Sequence, residues 1–253
     1  MKKVLFGFLL MSLMFGLTFT TACGDDDDGA DADTDSDSDT DSSTDADTDT
    51  DTDGDTDTDP CAGWDDCEDF ESYASGDSIT DMNDQWITWS DPPLPDEPAY
   101  VSDKMALDSL LSLRILDNND VVWLLEFESG HWLIEFDMFI MAGKTGYYNF
   151  QQVFATVWAF EMYFYDGGVG ICRIAGKDYK FTFKSGDWLK ATLDVDIDND
   201  EATILIDDVE VFTWPWSTAQ GEPPGACYGI DFYGAPDPPG NDYFMDNVRY
   251  KAL

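Results

Sequence analysis

Residues able to support covalent or metal chemistry are few in this chain, while acidic and aromatic side chains are plentiful. His131 is the single histidine and stands between Gly130 and Trp132 at the start of an alternating segment. No Gly-x-Ser-x-Gly turn supplies a nucleophile for it, so Ser–His–Asp chemistry is not expected and His131 reads as a turn residue. Cys61 and Cys67 have C-x5-C spacing with the histidine far away, a poor zinc pattern. Asp49, Asp51, Asp53, Gly54 and Asp55 follow the D-x-D-x-D-G-D spacing of a calcium loop. The twelfth position, where a bidentate Glu is required, is Pro60. Any alternating Asp tract with one Gly generates that spacing, and it offers divalent cations only diffuse attraction.

Aromatic residues form 15% of the chain and nine are Trp. Sugar rings stack on exposed aromatic faces while carboxylates and amides reach their hydroxyls. Trp214-Pro215-Trp216 brackets a proline just past a strand-like run and before a Gly/Pro-rich loop. The Tyr147-Tyr148 pair and Tyr233, near the Pro236–Pro239 loop, have the same character. Trp214, Trp216, Tyr147, Tyr148 and Tyr233 are thus the candidate ligand-binding residues. The competing role for the tryptophans is to cap the ends of a sandwich.

The elements that must position these residues read as strands. From His131 to Met141, Trp132, Ile134, Phe136, Met138 and Ile140 fall on one side and Glu135 and Asp137 on the other. Lys190–Ile197 alternates likewise, and Asp198-Asn199-Asp200 turns it into Glu201–Ile206, a hairpin. Further β-rich runs span 121–127, 147–156, 158–165, 169–175, 179–184, 229–233 and 243–250, with turn glycines between them. The one candidate helix lies near Asp103–Leu111, and its Leu run equally suits the start of a strand. The pattern predicts an all-β fold, an antiparallel jelly-roll β-sandwich over residues 60–253.

Before that domain the chain is of another kind. Lys2 and Lys3 precede an apolar run from Val4 to Phe19, then small residues to Ala22, the order of a secretion signal over residues 1–22. Thr20-Thr21-Ala22-Cys23 resembles the lipobox of bacterial lipoproteins, with Thr20 where an aliphatic residue is usual. The resemblance implies acylation of Cys23, attachment to a lipid bilayer, and an exported protein at the bacterial outer membrane or cell surface. Residues 24–59 contain only Gly, Asp, Ala, Thr and Ser, with 18 Asp. Such a segment cannot bury a core, and residues 23–59 are expected to be a disordered, self-repelling tether reaching at most roughly 120 Å.

Charge and cysteine count agree with export. The net charge is −42, and residues 60–253 alone carry 36 acids against 10 bases. A domain so acidic repels phosphate backbones, which excludes nucleic acid as a partner. It leaves neutral ligands such as glycans, or another extracellular polymer. With Cys23 acylated, four cysteines remain, and an oxidising compartment favours pairing. Cys61 with Cys67 and Cys172 with Cys227 is the preferred pairing among three connectivities.

A family resemblance appears along the domain. It is carried by Cys67-Glu-Asp-Phe-Glu-Ser-Tyr, Leu113–Ile115, Trp132–Ile140, Gly186-Asp-Trp188 with the strand after it, Ile206-Asp-Asp-Val-Glu-Val, and Phe244-Met-Asp246-Asn-Val-Arg-Tyr. In this order they resemble the concanavalin A-like lectin/glucanase superfamily, in its laminin-G-like jelly-roll branch, over roughly residues 66–251. The resemblance implies fold more than activity. Family 16 glycoside hydrolases of this fold carry Glu-x-Asp-x-x-Glu on one strand. Here Glu135-Phe-Asp137-Met-Phe is followed by Ile140, so Glu135 and Asp137 are weak catalytic candidates without the second Glu. Glu161, on another aromatic strand, is a conceivable substitute. The resemblance also implies structural calcium between the chain ends, at Asp69, Glu71 and Asp246. The expectation is a non-catalytic, membrane-anchored glycan- or polymer-binding domain. The alternatives are a glycoside hydrolase and a purely structural envelope protein.

Overall fold

The computed structural model describes residues 59–218 and 225–253. The expected signal, Cys23, the calcium-loop lookalike up to Thr58 and the tether up to the same residue lie outside them. Among the described residues fifteen strands are formed. The first five are β1 (Asp66–Glu68), β2 (Trp86–Thr88), β3 (Tyr100–Ser102), β4 (Ser112–Leu116) and β5 (Asp120–Phe127). Next come β6 (His131–Ile140), β7 (Gly146–Val153), β8 (Val157–Tyr165), β9 (Val169–Ile174) and β10 (Lys177–Thr182). The last five are β11 (Trp188–Asp196), β12 (Glu201–Ile206), β13 (Val209–Trp214), β14 (Cys227–Tyr233) and β15 (Asp242–Ala252).

They form two antiparallel sheets. One runs β13-β12-β11-β6-β15-β4-β3, with β1 also paired to β15; the other runs β10-β9-β8-β7-β14-β5-β2. The predicted strands are present, with bounds shifted by a few residues. The architecture is a two-sheet β-sandwich with negligible helix among the described residues, one α-helical turn at Ile79–Met82 and one 3-10 turn at Trp216–Thr218. No helix among the described residues is long and apolar enough to cross a membrane.

The sandwich closes on an aromatic core. Ile134, Phe136, Met138 and Ile140 of β6 turn inward as the alternation requires. They meet Trp86, Trp123, Tyr148, Phe160, Phe164 and Phe232 from the opposite sheet. Phe136 packs edge-on against Tyr148 and Phe232 at centroid distances of 4.9 and 5.3 Å. The residues between these inward positions therefore point out of each sheet, and on the seven-stranded sheet they build the cleft described below.

Three expectations are corrected here. Asp103–Leu111 beyond β3 forms no helix. Its amides are taken by carboxylates from elsewhere, Asp246 accepting from Leu107 (2.9 Å) and Glu71 from Leu110 and Leu111 (3.0 and 2.6 Å). Cys61 and Cys67 are disulfide-bonded as expected, but Cys172 and Cys227 are free, buried thiols. They stand on β9 and β14, three strands apart, roughly 14 Å at the usual strand spacing and beyond the reach of a disulfide. Burial pushes the Cys172 thiol up to about 12, so it is an inert member of the core. The tryptophans Trp214 and Trp216 are 3% and 0% exposed, so neither offers a face to a ligand. Trp214 packs edge-on to Phe160, and Trp216 donates Nε1 to the Gly225 carbonyl (3.1 Å). They cap the sandwich.

Candidate functional site

The outward face of the seven-stranded sheet carries polar side chains in register on four neighbouring strands. Asp231 of β14 lies opposite Asn149 of β7, and Asn149 opposite Glu161 of β8. One row along, Asp120 of β5 lies opposite Tyr233, and Tyr147 opposite Tyr163. Period-two alternation turns all of them the same way, away from the core. Three of them interrupt aromatic or apolar neighbours, in Gly-Ile-Asp231-Phe-Tyr, Tyr-Tyr-Asn149-Phe and Ala-Phe-Glu161-Met.

Asp120, Tyr147, Asn149, Glu161, Asp231 and Tyr233 line, with Trp89 and Trp158, a cleft of about 290 Å³. A neighbouring cleft of about 380 Å³, lined by Leu94, Asp96, Glu97 and Asn118, shares Asp120 and Tyr233 with it. The segment bearing Glu97 is fixed by that side chain, which accepts from Ser90 Oγ (2.6 Å) and Leu94 N (2.9 Å). Trp89 follows β2 and Trp158 sits on β8, four strand spacings or roughly 19 Å apart. Their rings nevertheless come within 6.2 Å, so the two indoles converge over the strands between them and wall the cleft. On its other flank Tyr233, Tyr147, Tyr163 and Tyr165 form an aromatic row outside the main core, with centroid spacings of 6.1, 5.0 and 6.4 Å.

A directed hydrogen-bond chain links the acids. Asn149 Nδ2 donates to Asp231 Oδ2 (2.6 Å) and to Tyr147 Oη (3.2 Å). Tyr147 Oη donates to Glu161 Oε1 (3.1 Å), as does Tyr163 Oη (2.7 Å), which in turn accepts from Arg173 (3.1 Å). Arg173 is itself clamped by Asp178 (2.7 and 3.2 Å). Three buried acceptors at the cleft have no protein partner: Asp120 Oδ1, Asp231 Oδ1 and Asn149 Oδ1. Asp231, Asn149 and Asp120 are only 3%, 1% and 9% exposed.

Burial governs the electrostatics. Desolvation raises the Asp120 carboxyl far above its ordinary value, and the charge of Asp231, a hydrogen bond with it and the charge of Glu97 add to that. Desolvation raises Asp231 as well, opposed by hydrogen bonds from Asp120 and Asn149. The two acids are coupled, and burial beside one another favours keeping a proton on the pair. Tyr147 is kept a neutral phenol by burial and by Glu161 beside it.

The sequence-predicted residues divide. Tyr147 and Tyr233 line the cleft, whereas Tyr148, one position along β7, points into the core and is fully buried. Glu135 and Asp137 lie on the outer face of the other sheet. Glu135 pairs with Arg249 (3.2 Å) and Lys190 (3.9 Å), and Asp137 accepts from Asn247 (3.2 Å). These carboxyls have structural partners, and neither lines the cleft on the seven-stranded sheet. His131 bonds Asp194 (2.6 Å) at the start of β6. The implied calcium ligands do not fit a metal site. Asp69 accepts from the Glu71 amide (3.1 Å), and the two Asp246 oxygens accept from Leu107 and Asn247 (2.9 Å each). Among the described residues no three His, Cys, Asp or Glu are grouped to share a metal ion. Asp120, Asn149, Asp231, Trp89 and Trp158 were not candidates in the sequence; the lone acid within an aromatic strand is a signal that would have found Asp231, while Asp120 opens its strand after Asn118-Asn119 and Asn149 shares its strand with Gln151 and Gln152.

No family model matches the chain, and no curated protein does. Solved structures do. A sialidase superposes with a TM-score of 0.52 at 14% identity, over 74% of this chain and 18% of its own. A structure titled for endo-acting O-glycanases of the human gut microbiota that initiate mucin breakdown gives 0.47 at 12% identity, over 75% of this chain and 99% of its own. The carbohydrate-binding module CBM66 from Bacillus subtilis gives 0.42 at 12%, over 66% and 96%. The chain thus spans under a fifth of that sialidase's length. At these identities the likeness shows the fold alone: a β-sandwich of the type found in carbohydrate-associated proteins. It does overturn the expectation of a domain without catalysis. The sandwich is shared with a chain named for catalysis, and three carboxyl groups line one cleft where Glu135 alone had no partner.

Proposed function

We propose that this domain, of the concanavalin A-like type, hydrolyses glycans in the cleft between Trp89, Trp158 and the tyrosine row. The observation that carries the reading is the linkage of a proton-holding Asp120–Asp231 pair to Glu161 through Asn149 and Tyr147. The shared atoms of that chain keep Asp231 Oδ2 and Glu161 Oε1 within about 9 Å, and their strands lie two spacings apart. That bound admits the roughly 6.5–9.5 Å separation of acid and base in inverting glycosidases, the geometry this reading adopts.

In this reading the carboxyl pair donates its proton to the leaving glycosidic oxygen as the C–O bond breaks. Glu161 removes a proton from the water whose oxygen forms the new bond on the opposite face of the ring. Tyr147 and Tyr163, both bonded to Glu161 Oε1, orient it. The expected result is reducing-end release from oligosaccharides, with the product anomer inverted by NMR. Glu161→Gln should lower the rate by about a hundredfold or more while binding persists. Unchanged release by that variant overturns the assignment, as does a wild-type protein that binds glycans in this cleft and cleaves none.

The amino-terminal reading completes the proposal. Acylated Cys23 would tie the protein to the outer membrane or cell surface, and residues 24–59 would hold the domain away from the bilayer. Support comes from the Lys2–Ala22 pattern and from the composition of the segment. Metabolic labelling with a fatty-acid analogue, lost in Cys23→Ala, tests it.

A further inference from the structure

We infer that the cleft selects a sugar ring bearing no anionic group, either neutral or carrying a free amine, and rejects sialylated, uronic and sulfated glycans. The inference rests on the reading of this cleft as a glycan site and names the substrate class it admits.

Two independent features point there. The first is hydrogen-bond polarity. The three buried oxygens at the cleft that meet no N–H or hydroxyl of the protein are Asn149 Oδ1, an acceptor, and Asp120 Oδ1 and Asp231 Oδ1, which have at most the one proton of their pair between them. The Asn149 amide cannot turn round to offer a donor, because its Nδ2 is committed to Asp231 and Tyr147. A ligand that satisfies this cluster must arrive with donors: hydroxyls, an acetamido N–H or an ammonium. A carboxylate or sulfate brings only acceptors and would leave Asn149 Oδ1 and all but one of the carboxyl oxygens unpaired.

The second is charge. Asp120, Glu161 and Asp231 line the first cleft and Asp96, Glu97 and Asp120 the second, with no Lys or Arg among the lining residues of either. Recognition of an anionic substituent uses the Arg fork or a Lys ammonium. The cation that reaches the tyrosine row is Arg173, and its Nε and Nη2 are clamped by Asp178 while Nη1 donates to Tyr163. It has little left to offer an incoming anion.

The test is calorimetric titration of the full chain with matched oligosaccharides. The set comprises neutral members, their glucosamine counterparts, and their sialylated, uronic and sulfated counterparts, with Trp158→Ala as the control that binding is in this cleft. Neutral or amino members are expected to bind, and each anionic counterpart to bind about a hundredfold more weakly. Asp231→Asn, which turns one acceptor into a donor and removes charge, should narrow that gap. An anionic member binding as tightly as its neutral partner, with the affinity lost in Trp158→Ala, overturns the inference and leaves the glycan site standing. Binding of neutral members without cleavage upholds it while the hydrolytic reading fails. Silence across the whole set overturns both.

Discussion

At the residue scale the site depends on carboxyl groups placed where water is scarce. Asp120 and Asp231 are expensive to bury, and the native state lowers that expense by keeping a proton the unfolded chain releases. The sign follows from the raised values. The proton's contribution is fully present below the ordinary carboxylate range near 4. It is lost as pH rises through the native titration of the pair, with Glu97, Tyr147 and Tyr233 the titratable neighbours. Asp120→Asn supplies a neutral group at every pH. It should therefore be more stable than the wild type at pH 8, by about 1 kcal/mol or roughly 2–4 °C, and should lose that advantage near pH 5. Melting curves at the two pH values check this; a difference that does not change with pH would overturn the shared proton. The tryptophans separate in the opposite way. Trp214→Ala or Trp216→Ala empties a packed site and should cost about 3–5 kcal/mol with the cleft untouched, whereas Trp158→Ala, at a half-buried position, should mainly remove glycan affinity. Chemical denaturation and glycan titration of the three variants distinguish the roles. Type and spacing made all of these aromatics look alike in the sequence, since whether an indole faces solvent depends on what packs over it.

At the element scale the strands were legible because alternation is a local signal. Trp132 to Ile140 announced both a strand and its inward face, and the Asp198–Asp200 turn announced the hairpin of β11 and β12. The Leu-rich stretch 103–111 misled for a physical reason. Its backbone amides are satisfied by Glu71, 39 and 40 positions away, and by Asp246, 139 positions away, so no intrachain helix is needed to pair them. The short β1 strand is held by its ladder to β15 and by the Cys61–Cys67 disulfide. Closing so small a loop gives the bond at most about 2 kcal/mol, so Cys61→Ser should lower the melting temperature by only a few degrees. Faster amide exchange confined to Asp66–Glu68 and their β15 partners would accompany it; global loss of protection would show that the bond holds more than this edge.

At the scale of the whole molecule, charge and topology dominate. The 36 acids against 10 bases of residues 60–253 repel one another, so salt should raise the melting temperature by screening, in the direction opposite to a protein held by surface ion pairs. A melting temperature that falls between low and moderate salt would contradict this. The sequence by itself determined the all-β class, the inward positions and the acidic balance, and made Cys61–Cys67 the preferred local bridge. These follow from near-neighbour periodicity, short-range spacing and total charge. Only the tertiary structure decided which acids meet. The order β8-β7-β14-β5 places side chains from positions 120, 149, 161 and 231 on one face, while Glu135 and Asp137 end on another and Cys172 and Cys227 are kept three strands apart. Strand order is set by how two aromatic faces pack against each other over long sequence separations, and no local pattern encodes it.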